Sequence, residues 1–213
     1  MEIFRFNHRE IIIKNIIESL LNEGTINLNS TIVSFGKGTN IMYLAKYLFN
    51  KDIKLILVIP DDLDNNIINE LKLYQADIIK APTKYGYLEL LDLAKDISLE
   101  IDNSYVLNFL EINISYKEFI PYLKKISNDI DNIIIPIGSG ILIRSIGMYL
   151  KISKEINIIG LSIKNNYDFK LSNINNDIMD NFEILDSFDL EYLDKKYPNS
   201  IIILGENDEN IKI

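Results

Sequence analysis

Two turns in this sequence place glycines around a polar residue where an apolar run gives way to a helical pattern. The first, SFGKGTNI, sets Gly36 and Gly38 about Lys37, with Thr39 and Asn40 next. The second, PIGSGIL, sets Gly138 and Gly140 about Ser139. A helix start leaves backbone N–H groups unpaired and carries the positive end of the dipole, so glycines that admit a ligand to the backbone can make it an anion cradle. Ser139 adds a hydroxyl. Lys37 adds a cation that can pair with an anion, although an exposed loop lysine is the commoner reading. His8 beside Arg9 offers an acid/base group or an anion contact, whereas a lone histidine near a terminus reads more simply as surface. Asp61, Asp62 and Asp64 resemble a carboxylate cluster that capping of the following helix also explains. GENDEN, at 205–210, lacks the ligand spacing of a calcium loop. Asn29 and Asn113 open glycosylation-like triplets, which mean little without secretion.

Bulk properties narrow the chemistry. A net charge of −9 with no basic stripe argues against a nucleic-acid phosphate surface. Small anionic molecules, amino acids or proteins are the expected partners. The absence of cysteine removes disulfides and thiolate metal sites, and a single histidine excludes the usual zinc constellations. MEIFRFNHRE has no signal-peptide apolar core, and the apolar runs are short and broken by Pro or Gly, so no membrane span is expected and the cytoplasm is the default. With 213 residues, 47% of them hydrophobic, the chain can bury a substantial core as one domain or two small lobes.

The elements that must position the turns alternate along the chain. IIIKNIIESLLNEG reads as a helix ending at Gly24, TIVSF as a strand, NIMYLAKYLFN as a helix, and IKLILVIP as a strand stopped by Pro60. DDLDNNIINELKLYQ is a helix with acids in its first turn, ADIIKAP a strand, YGYLELLDLAKDISLEI a helix and SYVLNF a weak strand. FIPYLKKISNDI is a helix with Pro121 near its start, where a missing N–H costs little. The run from Ile133 to Ile137 is a strand covered on both faces, followed by a helix on Leu142, Ile146 and Leu150. INIIGLSI, a polar stretch from Asn165 to Asp180, a short helix at DLEYLDKKY and a strand SIIILG complete the chain. Such alternation implies an α/β fold, a parallel sheet with helices on both faces. Its ligands belong at the carboxyl ends of the strands, so the two turns on one edge could grip the two ends of one small anion.

The order of these features resembles the fold-type II pyridoxal-phosphate enzymes, especially cysteine synthase and its relatives among threonine synthases, dehydratases and the tryptophan synthase beta chain. The likeness runs through KNIIESLLNEGTINLNSTIVSFGKGTNIMYLAKYL, KLILVIPDDL, ELKLYQADIIKAP, FIPYL, IIIPIGSGILIRSIGMYLK and NSIIILGENDENI. It implies a reduced three-layer architecture of the tryptophan synthase beta type, with a smaller lobe over 31–118 and a larger lobe from 1–30 and 119–213. It also implies a role in amino-acid metabolism and pairing of two copies through the larger lobe. The family's phosphate loop falls on Gly138, Ser139 and Gly140, with Ile141 and Leu142 replacing a Gly and a Thr. Its substrate-carboxylate loop falls on Gly36 to Ile41, where Gly38 is retained and Lys37, Thr39 and Asn40 replace Ser, Asn and Thr.

The resemblance departs at the lysine that forms the Schiff base. Counting back without gaps from Thr31, that position falls on Arg9. A guanidinium stays protonated and cannot serve as a free amine. Lys14, five residues on in a helix, faces about 140° away and sits about 7.5 Å further along the axis. The chain also starts too close to this point for the family's N-terminal segment, and is shortened after Ile163, where a partner for the pyridine nitrogen would lie. The expectation is a pseudoenzyme whose pyridoxal phosphate is non-covalent or lost, binding a small anion, an amino acid or a protein. Two alternatives stay open: an active pyridoxal-phosphate enzyme using Lys14 or Lys37, and a phosphosugar-binding module in which SFGKGTNI acts alone.

Overall fold

The computed structural model describes residues 1–163 and 177–205. It divides into two compact units, one of Met1–Ile12 with Leu110–Ile213, the other of Ile13–Phe109. Residues 13–30, expected with the larger lobe, fall in the second unit, and 110–118 fall in the first. The second unit holds β2 (Thr31–Phe35), α2 (Thr39–Leu48), β3 (Lys54–Pro60), α3 (Asn65–Leu73), β4 (Asp77–Ala81), α4 (Tyr87–Leu99) and β5 (Ser104–Leu107). Its four strands lie in the order β4-β3-β2-β5, all parallel. The first unit holds β1 (Glu2–Arg5), α5 (Ile120–Leu123), β6 (Asn132–Pro136), α6 (Ile141–Lys154), β7 (Asn157–Ile163), β8 (Asn181–Leu185), α7 (Leu190–Lys196) and β9 (Ser200–Leu204). Its five strands lie in the order β1-β9-β6-β7-β8, again all parallel. The division falls within α1 (His8–Asn22).

The α/β class with parallel sheets is therefore as expected, but the strands form two sheets. The two glycine turns follow β2 and β6, which belong to different sheets, so the expectation of one shared edge is corrected. Both parent strands are apolar without alternation because both faces are covered: every residue of β2 is buried, and Ile133, Ile134 and Ile135 have no exposed surface. In the second unit α4 lays Leu90, Leu91 and Ala94 over Val33, Phe35 and Val58. In the first, α7 sets Leu193 and Tyr197 against Ile134, Ile159 and Ile202.

Several boundaries moved for local reasons. The first helix starts at His8 rather than Ile11, because Asn7 and Glu10 form a reciprocal cap: Asn7 Nδ2 donates to Glu10 Oε2 at 2.5 Å and Glu10 N to Asn7 Oδ1 at 3.4 Å. The helix expected from Asp61 begins only at Asn65, where the Asp64 carboxylate accepts from Asn66 N at 2.7 Å. The helix expected over 119–130 stops at Leu123, preceded by a 3₁₀ turn over Tyr116–Phe119. Beyond it the bonds tighten to Lys125 N→Tyr122 O and Ile126 N→Leu123 O, which ends the α pattern and turns Ile126 inward. Strands β1 and β8 were not anticipated. His8, expected at the surface, is only 7% exposed, its ring edge-on to Phe6 at 5.5 Å. Phe6 also stacks on Tyr122 at 5.0 Å and meets Phe119 edge-on, so an aromatic cluster anchors the passage from β1 into α1.

Towards the β7–β8 edge of the same sheet, Ile178–Asp180 presses into two positions that lack a side chain. A Cβ on Gly147 of α6 would overlap Ile178, and one on Gly160 of β7 would overlap Met179 and lie 2.5 Å from Ile137 Cδ1. Asp180 locks this segment by accepting from Lys151 Nζ at 2.9 Å and from Ile158 N at 2.8 Å. The edge strand β8 is held by Glu183, which accepts from Lys196 Nζ at 2.7 Å and Tyr197 OH at 2.5 Å. Burial pushes that carboxyl upward, and the hydrogen bonds from Lys196 and Tyr197 overcome it, holding it below the usual range. At the amino ends of the strands, Asn157 Nδ2 donates to Asn132 Oδ1 and Asn132 Nδ2 to Pro198 O, while the buried Ser200 hydroxyl has no hydrogen-bond partner among the described residues.

Two stability changes follow. Gly160→Ala forces an overpacked contact, and urea unfolding should record a loss of about 2 kcal/mol. Ser200→Ala removes an unsatisfied buried hydroxyl and should raise stability by about 1 kcal/mol in the same assay.

Candidate functional site

Ile137 N donates to Leu161 O at 2.7 Å, which carries the β6–β7 ladder one residue past β6 before the chain leaves the sheet at Gly138. Gly138 is exposed, with nothing within 4 Å of the place a Cβ would occupy. Ser139 is half-buried, and Gly140 caps α6 with φ +74°, a left-handed conformation that favours glycine. No side chain caps α6. Ile141 and Leu142, the bulky replacements, are buried at 1% and 7% exposure, so their side chains are taken into the core and leave the exposed Gly138 clear, while Gly140 itself is buried. Arg144, a polar position between the apolar Leu142 and Ile146, reaches back across the first turn. Its Nη1 donates to Ser139 O at 2.9 Å and its Nη2 to Ile112 O at 3.1 Å.

Strand β1 brings a second group to the same edge. Its pairing with β9 continues through Phe6 N→Leu204 O at 3.3 Å, and Arg5 Nη1 donates to Gly205 O at 3.2 Å. The chain then enters α1, whose second residue is the half-buried Arg9. Since β9 separates β1 from β6, the β1–α1 and β6–α6 handovers stand on one carboxyl edge, with their strands two inter-strand spacings, or about 10 Å, apart. The order also reverses at β6, with β7 on one flank and β9 on the other, which is where open α/β sheets place ligands. Lys14 is exposed, 4.0 Å from the Glu18 carboxylate.

On the other sheet, Gly36 N donates to Val58 O at 3.0 Å and Gly36 turns the chain at φ +121°. Lys37, Gly38 and Thr39 are exposed, Asn40 is half-buried, and Gly38 caps α2 without a side chain. Beside this turn, Asn108 follows β5, is 6% exposed and accepts a hydrogen bond from the Tyr87 hydroxyl. The Tyr87 ring lies 5.0 Å from that of Phe35. Neither residue is singled out by the sequence, where YGYLELLDLAKDISLEI reads as a helix and SYVLNF as a weak strand; an amide directly after a strand that neighbours a glycine turn is the available signal. Of the three acids, Asp64 caps α3, whereas Asp61 ties the ends of β3 and β4 by accepting from Thr83 N at 3.0 Å and from the Thr83 hydroxyl. Helices after the glycine turns thus begin on bare backbone, while α3 and α7 begin on Asp64 and Asp189. The GENDEN segment beyond Gly205 and the region after Ile163 lie outside the described residues. Among the described residues no helix is long and apolar enough to cross a membrane.

No family model matches the chain. It is similar to cysteine synthase B of Campylobacter jejuni, 27% identical over 152 residues, a match covering 68% of this chain and 50% of that protein. The chain thus spans about half the length of the curated relative it matches. Among solved structures, the O-acetylserine-dependent cystathionine beta-synthase of Helicobacter pylori superposes with a TM-score of 0.75 at 17% identity, covering 92% of this chain and 80% of that one. A lysine-to-alanine variant of O-ureido-L-serine synthase with O-ureido-L-serine bound gives 0.76 at 10% identity, covering 92% and 77%. The fold is that of these enzymes, and the resemblance to cysteine synthase and its relatives holds.

The hydrogen bond from Thr83 holds the Asp61 carboxyl below its ordinary value of 3.8. A depressed carboxylate contributes to the turn above 3.8 and ceases to as pH falls through the lower folded value. Protection of the Thr83 amide, its exchange rate relative to that of an unstructured peptide at the same pH, should therefore hold steady from neutral pH down to 3.8 and fall below it, and Asp61→Ala should lose this pH dependence.

Proposed function

We propose that this chain is a cysteine synthase-like protein of the fold-type II pyridoxal-phosphate type that no longer tethers its cofactor, and that it holds a small phosphate-bearing anion at the Gly138–Gly140 turn without turnover. The observation that carries the reading is the β1-β9-β6 order, which puts the turn and the Arg9 helix start on one sheet edge. The donor set there suits a phosphate: bare N–H groups at the start of α6, the Ser139 hydroxyl, open space at Gly138 and the Arg144 guanidinium nearby. It does not suit an aldehyde. Arg9 is a permanent cation that cannot form an imine, and it adds positive charge in place of a nucleophile. Pyridoxal phosphate, when bound, supplies an electron sink, and that use of it needs an amine this edge does not offer at Arg9. The Gly36–Asn40 turn fits the carboxylate of an amino acid in the same reading, with Lys37 exposed on the turn. The reading also includes a cytoplasmic location, expected from the lack of a signal-peptide apolar core in MEIFRFNHRE, and a homodimer or protein partner, the pairing of copies being what the resemblance implies.

Borohydride reduction after incubation with pyridoxal phosphate, read by intact mass, tests the central point. No pyridoxyl adduct at any site-directed stoichiometry is expected, together with a rise in melting temperature on adding phosphate or pyridoxal phosphate and no turnover of O-acetylserine. A stoichiometric adduct on Lys14 or Lys37 would establish the active-enzyme alternative. Stabilisation by phosphosugars alone would favour the third reading.

A further inference from the structure

We infer that Arg144 is a positioning residue that aims the Gly138–Gly140 turn by fixing the Ser139–Gly140 peptide. This rests on the reading of that turn as the phosphate site, and it adds a residue outside the glycine-serine motif. The guanidinium is a rigid planar fork, and here one nitrogen takes Ser139 O at 2.9 Å while the other takes Ile112 O at 3.1 Å. In a planar trans peptide the carbonyl and the N–H of the next residue point in opposite directions. Holding Ser139 O against the guanidinium therefore sends the Gly140 N–H away from it. Gly140 is buried at φ +74°, a conformation that its missing side chain allows, and no side-chain cap restrains it. Without the fork, the Ser139–Gly140 peptide can rotate and present its carbonyl, which repels an anion, where its N–H would attract one. The Ile112 bond anchors the fork itself, since one carbonyl alone would leave the long side chain free to swing. The charge of the guanidinium remains beside the turn while both bonds are made, so orientation and attraction come from one group.

A lysine keeps the charge but has a single head and cannot bridge both carbonyls as a planar fork, whereas methionine keeps the stem and loses both functions. Inorganic phosphate binding, followed by calorimetry and by the Gly140 amide resonance of the full chain, separates these roles. The expected result is roughly tenfold weaker phosphate binding in Arg144→Lys, a larger loss in Arg144→Met, and a displaced Gly140 resonance in both before phosphate is added. If Arg144→Met does not fold, Arg144→Lys alone decides. Lysine that binds phosphate as the parent does, with an unmoved Gly140 resonance, overturns the inference, as does a fall in melting temperature with unchanged affinity. If the parent chain binds no phosphate, the function reading fails by itself, and the unliganded Gly140 resonance in the variants still judges Arg144.

Discussion

The parallel pairing of Glu2–Arg5 with Ile201–Leu204 fixes where α1 begins, and with it which residues stand at the edge that β6 also reaches. In a parallel sheet every strand ends on the same side, so a strand's place in the order decides which loops become neighbours. Here one strand lies between the β1–α1 handover and the glycine-serine-glycine turn. The aromatic cluster of Phe6, Phe119 and Tyr122 holds that handover from below, and the Asn7–Glu10 cap sets the first residue of the helix. Arg9 is thus placed by packing and capping that do not depend on any ligand.

Two ways of starting a helix coexist in this protein, on a side chain that caps it or on a glycine, and the glycine starts are those of α2, α4 and α6. Where an acid is available, as at Asp64 and Asp189, the helix satisfies its own first N–H groups and has no electrostatic need for a guest. Where glycine stands instead, at Gly38 and Gly140, those donors stay with the backbone, and a bound anion can supply the missing acceptors. Arg9 stands apart from the glycine starts, in a helix capped by Asn7 and Glu10. Its charge is fixed at all physiological pH, so it favours anion retention and forecloses chemistry that requires a neutral amine.

Much of this was legible in the chain itself, for a physical reason: strands covered on both faces must be apolar throughout, and IIIP, TIVSF and SIIIL announce themselves. Their glycine-marked exits could be read as handovers to helices for the same reason. What escaped was decided by tertiary pairing. EIFR has charged ends and too few residues to show a period, and it is a strand because β9 offers it an open edge. NFEIL sits against a polar stretch and owes its extension to β7 and to the clamp of Tyr197 and Lys196 on Glu183. His8 looked like surface because its neighbours are polar, yet the helix start turns its ring towards Phe6. That the two glycine turns belong to separate sheets could not be read locally, since strand order is not written in any single segment. Arg144 was hidden by its own periodicity, being one polar position in an amphipathic helix.

The β1–β9 pair also has a meaning for the order of events during synthesis. Strand β1 is made before the whole of the contiguous Ile13–Phe109 unit and its partner β9 after it, so that unit has all its strands before the pair can form. Glu2–Arg5 must wait unpaired until Ser200–Leu204 has been made, its charged ends helping to keep it from premature association. The edge bearing Arg9 is consequently completed only after the Ile13–Phe109 unit, and any nascent chain released short of Ser200 lacks the strand that joins β1 to β6.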